Sequence, residues 1–505
     1  YLTIQSVVFR IIASKPIMNK NCYKLIFSKH RNKIIAVGEN ASSVSHSGAK
    51  NQSKRGIVSH ISYVARLSLC SFAALIALAG YSSAFAAPAL NALPTGGTVA
   101  AGQVAISQSG NTLTVNQTTN QAIVNWNSFN IGANAKVVIN QPSANSVQLD
   151  RVTGNNASQI FGQLTSNGQV ILVNPNGIVF GKDGSVSASS FTASTLGITD
   201  ADFLAGNYRY TRDGATGAIT NDGTLQSSSG GYVALLGAQV TNNGKIIAPQ
   251  GAAYLGAAEA ITVPLSSSGK IKLELSPAAI NTAVTNSSTG TIVAEGGQVF
   301  MQASALNDVA ATAVSSVTNS GAIDVSGAQA GNVAMLTDHG NIKVDGSISA
   351  NSTNSNNKGG NIIIGRDTDT GVLSATTDVS GATLQAKGGF IETSGQYLKT
   401  DGVQITAKDW LLDPNNVEIN TNSTANTAGD SVVKAGDIST ALGNGTSVTI
   451  ATGSGTGSTS SATGVAIAGS GGTQADGNIL VNSAITSTYN GSSAPTLTLT
   501  ANNGI

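Results

Sequence analysis

The side chains of this 505-residue chain that could do chemistry are few, and the clearest are acidic. Asp200 and Asp202 stand two residues apart, and so do Asp367 and Asp369. Two acids at this spacing on a β-strand share a face, and paired carboxylates with a calcium ion or a basic residue could cleave a polysaccharide by acid–base chemistry. On a polar surface such pairs are usually solvated, so they are weak candidates for an active site.

Cysteine and histidine offer little more. Cys22 and Cys70, the two cysteines, lie in the first 86 residues together with three of the four histidines, which leaves His339 beyond them. The later chain therefore has no disulfide, no thiol nucleophile and no cysteine metal site. A zinc site with two histidines is impossible there, and a Ser-His-Asp triad would depend on His339 alone. We predict no catalytic residue, no cofactor and no metal site.

Charge is scarce and unevenly distributed. Charged residues make up 10% of the chain, against about 25% in ordinary soluble proteins. Residues 1–86 hold 11 of the 26 basic residues and one of the 25 acidic ones, so the remainder has 15 basic and 24 acidic side chains. Nucleic acid is therefore not an expected partner, because it requires a basic face.

An export signal explains the basic front segment. Residues 67–80 (LSLCSFAALIALAG) form an apolar stretch of 14 residues, too short to span a bilayer comfortably but suited to the core of a signal peptide. Ala84 and Ala86 form a small-x-small cleavage pattern, so Ala87 should begin the mature chain. The alternative is a buried core helix, which the flanking charges disfavour.

The region before this apolar core is unusually long. Met18 is the predicted start, which makes residues 1–17 translated upstream sequence and residues 18–86 an extended signal peptide. An ordinary signal peptide has about 15–30 residues. This region resembles the extended signals of very large exported surface proteins of Gram-negative bacteria.

The chain beyond residue 86 is predicted to be a solenoid of strands. Residues 219–225 (ITNDGTL) are echoed at 240–246 (VTNNGKI) and 317–323 (VTNSGAI), and each copy is followed by a small-residue turn and a second apolar run. A period near 20 residues is typical of repeat folds. We predict an all-β, right-handed parallel β-helix in which stacked asparagines form ladders. Several antiparallel β-sandwiches are the alternative.

Three segments carry a family resemblance: residues 121–131 (QAIVNWNSFNI), 167–181 (NGQVILVNPNGIVFG) and 190–195 (SFTAST). They resemble the secretion domain of filamentous-haemagglutinin-type exoproteins, the secreted halves of two-partner secretion systems. The high-molecular-weight adhesin branch is the most similar. Residues 409–417 (DWLLDPNNV) resemble a segment of the family's stalks. Many members carry an additional Asn-Pro-Asn-Leu motif; this chain has NQPS at 140–143 instead, which weakens a cytolysin interpretation.

The resemblance implies a domain organisation. We expect upstream sequence (1–17), the extended signal peptide (18–86), a two-partner secretion or haemagglutination-activity domain (87–330), a β-helical repeat stalk (331–420), and a low-complexity segment that begins further repeats and is cut short (421–505).

The resemblance also implies a route and a role. The Sec machinery would export the chain to the periplasm, where the periplasmic domains of an outer-membrane barrel transporter would recognise it while still extended. The chain would then fold outside a Gram-negative cell as a secreted or surface adhesin or haemagglutinin, with an unnamed receptor. The alternatives are the stalk of a contact-dependent growth-inhibition toxin and, less favoured, a β-helical polysaccharide-cleaving enzyme.

The family's secretion motif maps onto five residues: Asn174, Pro175, Asn176, Gly177 and Ile178. They have two compatible roles, a tight turn and an element read by the barrel. For the turn, Pro175 fixes φ, Asn176 and Gly177 supply positive φ, and Ile178 begins the next strand. Trp126 and Phe129 are predicted to plug the core or cap of the first coils rather than to hold a ligand.

Overall fold

The computed structural model describes residues 87–263, 281–304, 315–338, 340–368, 370–425, 430–453 and 477–505, together with the backbone of three further strands, Tyr23–Ser28, Lys33–Gly38 and Lys272–Glu274. The chain divides into two units, Tyr1–Ala84 and Phe85–Ile505. In the first unit, Tyr23–Ser28 pairs antiparallel with Lys33–Gly38. Ala84 and Ala86 of the predicted cleavage site, His339 and Asp369 lie outside the described residues, and Ala87 is described and exposed.

The second unit is a parallel β-helix, which confirms the fold predicted from the repeats. One 21-residue coil contains three short strands, Ala218–Asn221, Thr224–Ser227 and Tyr232–Gly237. Each pairs in parallel with its counterpart in the next coil. The echoed sequence therefore marks successive turns of one solenoid with three faces. We call the face that contains Ala218–Asn221 face C, the face that contains Thr224–Ser227 face A, and the face that contains Tyr232–Gly237 face B.

Face A contains Thr112–Gln117, Lys136–Asn140, Gln163–Ser166, Ser185–Ala188, Thr224–Ser227, Lys245–Ile247, Thr291–Val293, Ala322–Asp324, Ser347–Ser349 and the first halves of Thr383–Ser394 and Gln404–Asp413. Face B contains Gln121–Trp126, Val147–Val152, Gln169–Val173, Ser190–Ser194, Tyr232–Gly237, Ala252–Ala257, Gln298–Ser304, Asn332–Asp338, Asn361–Ile364, the second halves of the two long strands, Ser447–Ala451 and Leu497–Thr500. Face C contains Ser158–Ile160, Ile178–Phe180, Ala218–Asn221, Gln239–Asn242, Thr282–Asn286, Ser315–Asn319, Asn341–Val344, Thr376–Asp378, Tyr397–Lys399, Ser431–Lys434, Val417–Asn420 and Ile479–Val481.

The core lies inside the solenoid and consists of stacked aliphatic side chains. On face B, Leu172, Ala193, Leu235 and Leu255 follow one another in register and are completely buried. No coil can bury these side chains by itself, so each depends on its neighbours for an apolar cover.

A buried asparagine ladder fixes the corner after face C. Asn221 donates to Asn242 over 2.7 Å, Asn242 to Asn286 over 2.8 Å, and Asn286 to Asn319 over 2.8 Å, each from Nδ2 to Oδ1. All four side chains are fully buried. The ladder ends where Val344 takes the next position in register. Three of the four, Asn221, Asn242 and Asn319, are the asparagines of the echoed repeat, so the predicted ladder is present.

The amino-terminal end of the solenoid departs from the parallel arrangement. Thr98–Ala101 pairs antiparallel with Gln121–Trp126, and Val104–Ser109 pairs antiparallel with Thr112–Gln117. These two strands close faces B and A over the first coil. The repeats did not predict this cap, because it has no counterpart elsewhere in the period.

A second layer covers the outer side of face B. Helix α1 (Asp200–Ala205) and a small antiparallel sheet of Arg209–Thr211, Ala260–Thr262 and Lys272–Glu274 leave the coils at two points of the chain. Phe203 of α1 is fully buried against this outer side. Face B is therefore buried on both sides over several coils.

The solenoid continues through residues 330 and 420, where domain boundaries were expected. Near 420 face C changes order, because Ser431–Lys434 lies between Tyr397–Lys399 and Val417–Asn420. Helix α2 (Ala435–Gly443) then packs Ile438 and its neighbours into the core. Neither α1 nor α2, the helices of the described part, is long and apolar enough to cross a bilayer.

Candidate functional site

The predicted secretion motif is the turn between faces B and C. Asn174 follows the strand Gln169–Val173, and Ile178 begins the strand Ile178–Phe180. The Gly177 N–H donates to the Asn174 carbonyl over 3.1 Å, which closes a β-turn with Pro175 at its second position. Asn174, Gly177 and Ile178 are buried, whereas Pro175 and Asn176 are exposed.

Asn174 organises this turn with its side chain. Its Oδ1 accepts from the Asn176 backbone N–H over 3.0 Å. Its Nδ2 donates to the Asn156 carbonyl and to Ser158 Oγ, each over 3.0 Å, and so ties the turn to the preceding coil. Asn176 adds a bond from its Nδ2 to the Gly154 carbonyl, over 2.9 Å. The motif therefore fastens one coil to the coil before it.

The following coil approaches the turn equally closely. The Gly217 N–H donates to the Pro175 carbonyl over 3.2 Å, and a Cβ atom on Gly217 would lie 2.5 Å from that oxygen. Gly177 has φ +117°, which only glycine adopts readily. Asn176 does not have positive φ, so that part of the predicted turn is wrong: Gly177 alone supplies the left-handed backbone.

Trp126 and Phe129 lie in the core of the first coils. Their rings meet edge to face at 5.6 Å, and each side chain is 1% exposed. Neither ring offers a face to solvent. Trp126 also donates from Nε1 to Asp150 Oδ1 over 2.8 Å, which satisfies its indole N–H inside the solenoid.

Asp200 and Asp202, the first acidic pair singled out in the sequence, have structural roles. Asp200 and Asp202 are in the first turn of α1, not on a strand, so the shared strand face expected for them is wrong. Asp202 accepts from Thr199 Oγ1 over 2.7 Å, and Asp200 forms an ion pair with Arg151 over 2.7 Å. Asp367 lies in a hairpin turn, where its backbone N–H donates to the Val372 carbonyl over 2.9 Å.

A buried charge cluster that the sequence did not reveal lies at the outer end of face B. Arg366 Nη1 is 3.4 Å from Glu392 Oε1 and 3.6 Å from Asp413 Oδ2. Burial, opposed by Arg366 and reinforced by Glu392, raises the pKa of Asp413 to about 7. Asp413 belongs to the DWLLDPN segment, but its burial arises only from the stacking of distant coils. No group of three or more metal-ligating side chains occurs in the described ranges.

Two family models match this chain. The TPS secretion domain matches residues 90–364, and the extended signal peptide of the type V secretion system matches residues 18–70. The first match extends beyond residue 330, and the second begins at Met18.

Known proteins from Haemophilus influenzae are similar to parts of the chain. The HMW1 secretion domain superposes with a TM-score of 0.51 and 27% identity, over 63% of this chain and 100% of that one. A heme/hemopexin-binding protein is 36% identical over 220 residues, which are 42% of this chain and 24% of the relative. Another protein of that name is 36% identical over 100 residues, 20% of this chain and 11% of its own. The chain thus spans about a quarter or less of these curated relatives.

Proposed function

The chain belongs to the family of two-partner secretion (TPS) exoproteins, and from that premise we propose that it is a surface adhesin or haemagglutinin. We also propose that its secretion domain is recognised by an outer-membrane barrel transporter with periplasmic recognition domains. The extended signal and the TPS domain place the protein on an export route through the periplasm and the outer membrane. The observation that carries the proposal is the TPS match over residues 90–364, within which the turn 174–178 lies.

The burial of the motif supports recognition of an extended chain. In the folded coil only Pro175 and Asn176 of the five motif residues are exposed. A partner that recognises all five motif residues must therefore bind them before residues 154–158 and 217 of the neighbouring coils pack against the turn. Delivery by the Sec machinery in an unfolded state would present the motif in that form.

A proline substitution separates recognition from folding. Pro175→Ala leaves the buried Asn174 contacts in place and should change the free energy of unfolding by less than about 1 kcal/mol. If the barrel reads the motif, secretion should nevertheless fall several-fold. The measurement is the ratio of secreted to periplasmic protein when the chain is co-expressed with its outer-membrane barrel transporter.

Pro249→Ala is the matched control, because Pro249 is a half-exposed proline of another coil corner and lies far from the motif in the chain. It should be secreted like the unmodified protein. Equal secretion of both variants at equal stability would contradict a recognition role for the turn.

The binding role is supported by family likeness to the adhesin branch. A second candidate is capture of haem or of a haem-carrying protein, which the names of the two curated relatives favour. The secreted chain should be tested for agglutination of red cells and, in parallel, for retention on immobilised hemopexin. Agglutination without retention supports the adhesin, and retention without agglutination supports the second candidate. A toxin stalk would show neither.

We propose no enzymatic role. Asp200 and Asp202 are engaged in an ion pair and a helix cap, which supports structural rather than catalytic use. Release of reducing sugars from polysaccharides by the secreted chain would overturn this.

A further inference from the structure

Asp150 is a carboxyl group inside the apolar core of the solenoid. It lies on the face B strand Val147–Val152, directly between Val124 and Leu172 in register. Its side chain is 0% exposed. Charged groups are almost never placed in such a position without a partner of opposite charge.

The hydrogen bonds around Asp150 are unevenly shared between its oxygens. Oδ1 accepts from Trp126 Nε1 and from Gln148 Nε2, each over 2.8 Å. Oδ2 has no hydrogen-bond partner among the described residues, and neither does Oε1 of Gln148. Gln148 is two residues away on the same strand, so its side chain is on the same inward side. A proton on Oδ2 would supply the donor that this corner of the core lacks.

Among the residues that the structure describes, no positive charge faces Asp150. The neighbours stacked on it in register are Val124 and Leu172, and the side chains bonded to it are Trp126 and Gln148, all uncharged at neutral pH. The adjacent Arg151 points to the outer side, where it binds Asp200 and the Ile198 carbonyl. Burial therefore dominates, and it raises the pKa of Asp150 to about 6, against the two hydrogen bonds, which lower it.

We propose that Asp150 couples assembly of the first coils to protonation: in acid the coils close with Asp150 neutral, whereas at neutral or alkaline pH they must bury its carboxylate, so acid favours their folding. The step exchanges one proton between the carboxyl group and the solvent. The carboxylate of the unfolded chain takes one proton from solvent, and the resulting Oδ2–H enters the core. No other reactant is needed.

The pH range follows from the two pKa values. The folded pKa of about 6 lies above the value of 3.8 for an unperturbed aspartate. The contribution of Asp150 to stability is therefore fully present below pH 3.8 and is lost as the pH rises through about 6. Above that range the folding constant of the first coils should be lower by about a hundred-fold, since each pKa unit is a factor of ten.

The inference concerns the folded coils and does not depend on the identity of the transporter. Its functional consequence does rest on the proposed export route. A chain that must stay extended in the periplasm benefits if its first coils are only weakly stable at neutral pH, next to the motif at 174–178.

The test uses the purified mature chain, which requires no transporter. Trp126 and Trp410 are the two tryptophans, so Trp410→Phe leaves Trp126 as a fluorescent probe of the first coils. Urea unfolding of this protein should show stability falling between pH 5 and pH 7.5. Asp150→Asn, which keeps the shape without the charge, should remove that fall and raise the folding constant at pH 7.5 by about a hundred-fold.

Asp183→Asn is the matched control, because Asp183 is exposed in the turn before the strand Ser185–Ala188. It should follow the unmodified profile. A variant-free check is the carbon chemical shift of the Asp150 carboxyl, which should titrate near pH 6 in the folded protein. The proposal is overturned if Asp150→Asn keeps the same pH profile or is less stable at pH 7.5, or if the carboxyl titrates near 4. If Asp150→Asn removes the pH dependence but is secreted at the normal rate, the inference about the coils holds and its link to the proposed export route fails.

Discussion

Buried polar side chains in this protein have opposite energetic consequences according to how many partners they find. Asn174 is fully buried and uses both its amide nitrogen and its oxygen in hydrogen bonds. Asp413 is equally buried, but neither of its carboxylate oxygens has a hydrogen-bond partner within the described chain, and Arg366 is its compensating charge. A satisfied amide fixes a turn, whereas an unsatisfied carboxylate makes stability depend on pH.

Removing the charge of Arg366 should destabilise the later coils in a pH-dependent way. Arg366→Met leaves Glu392 and Asp413 buried without a cation, which typically costs about 3–5 kcal/mol. Because the pKa of Asp413 is already raised to about 7, its stabilising contribution is lost as the pH rises through that value. The loss of Arg366 raises this pKa further, so the destabilisation should be larger at pH 8 than at pH 5.

The measurement is urea unfolding followed by Trp410 fluorescence in a Trp126→Phe background. Lys343→Met is the control, since it breaks an exposed ion pair with Asp345 and should cost less than about 1 kcal/mol at either pH. A destabilisation by Arg366→Met that is equal at pH 5 and pH 8 would contradict the role given to Asp413.

Among the elements, helix α1 covers an apolar surface that the coils alone would leave exposed. The outward side chains of face B include Ile123, Leu149, Ile171 and Tyr254, which a bare β-helix would leave in water. Phe203 of α1 packs on this layer, and its ring meets Tyr208 edge to face at 6.2 Å. The excursion after face B therefore buries an apolar outer surface and keeps it from becoming an exposed patch.

Truncation of Phe203 should weaken the packing of α1 on the outer side of face B. Phe203→Ala removes a fully buried ring and should cost about 3–5 kcal/mol locally, which exposes the outer layer to a hydrophobic dye and to protease while the coils stay folded. Leu204→Ala, at the next position of α1 and 46% exposed, is the control and should change neither readout. Dye binding that is equal for the two variants would show that α1 is not what covers the layer.

At the scale of the whole molecule, the second unit stacks coil on coil, and the sequence has no cysteine after Cys70. A repeat fold whose contacts are mainly between neighbours can assemble progressively from one end. With no disulfide available, nothing covalent locks two coils together in the oxidising periplasm. The architecture is therefore compatible with export before folding.

A covalent lock between two coils should block that export. Thr220 and Thr241 are partners in register on adjacent face C strands, and such strands are about 4.8 Å apart, within the span of a disulfide. The double variant Thr220→Cys with Thr241→Cys should accumulate in the periplasm and be secreted again when a reductant is added. The two single variants should be secreted normally. Secretion of the double variant at the normal rate with its disulfide formed would contradict export in an unfolded state.

The sequence alone determined the repeat and hence the fold. The spacing of Asn221 and Asn242, with an apolar run after each, is a local property of the chain, and it correctly predicted parallel coils and the asparagine ladder. The residue types at 174–178 predicted the turn there, although positive φ was wrongly expected at Asn176 as well as at Gly177. The family resemblance added the export route. These features could be found because a solenoid repeats its local pattern and each coil contacts only the next.

Only the tertiary structure decided which side of each strand is the core. In the strand Val147–Val152, the side chains of Leu149 and Arg151 lie on one side and those of Gln148 and Asp150 on the other. Because residues 147 and 149 are apolar, the sequence suggests that the side with Leu149 faces the core. The reverse is true, because α1 and the excursion strands, distant in sequence, bury the outer side. Period-two alternation separates two sets of side chains but does not say which set faces inward. For the same reason Asp150 and the Arg366 cluster became visible only when the coils were closed.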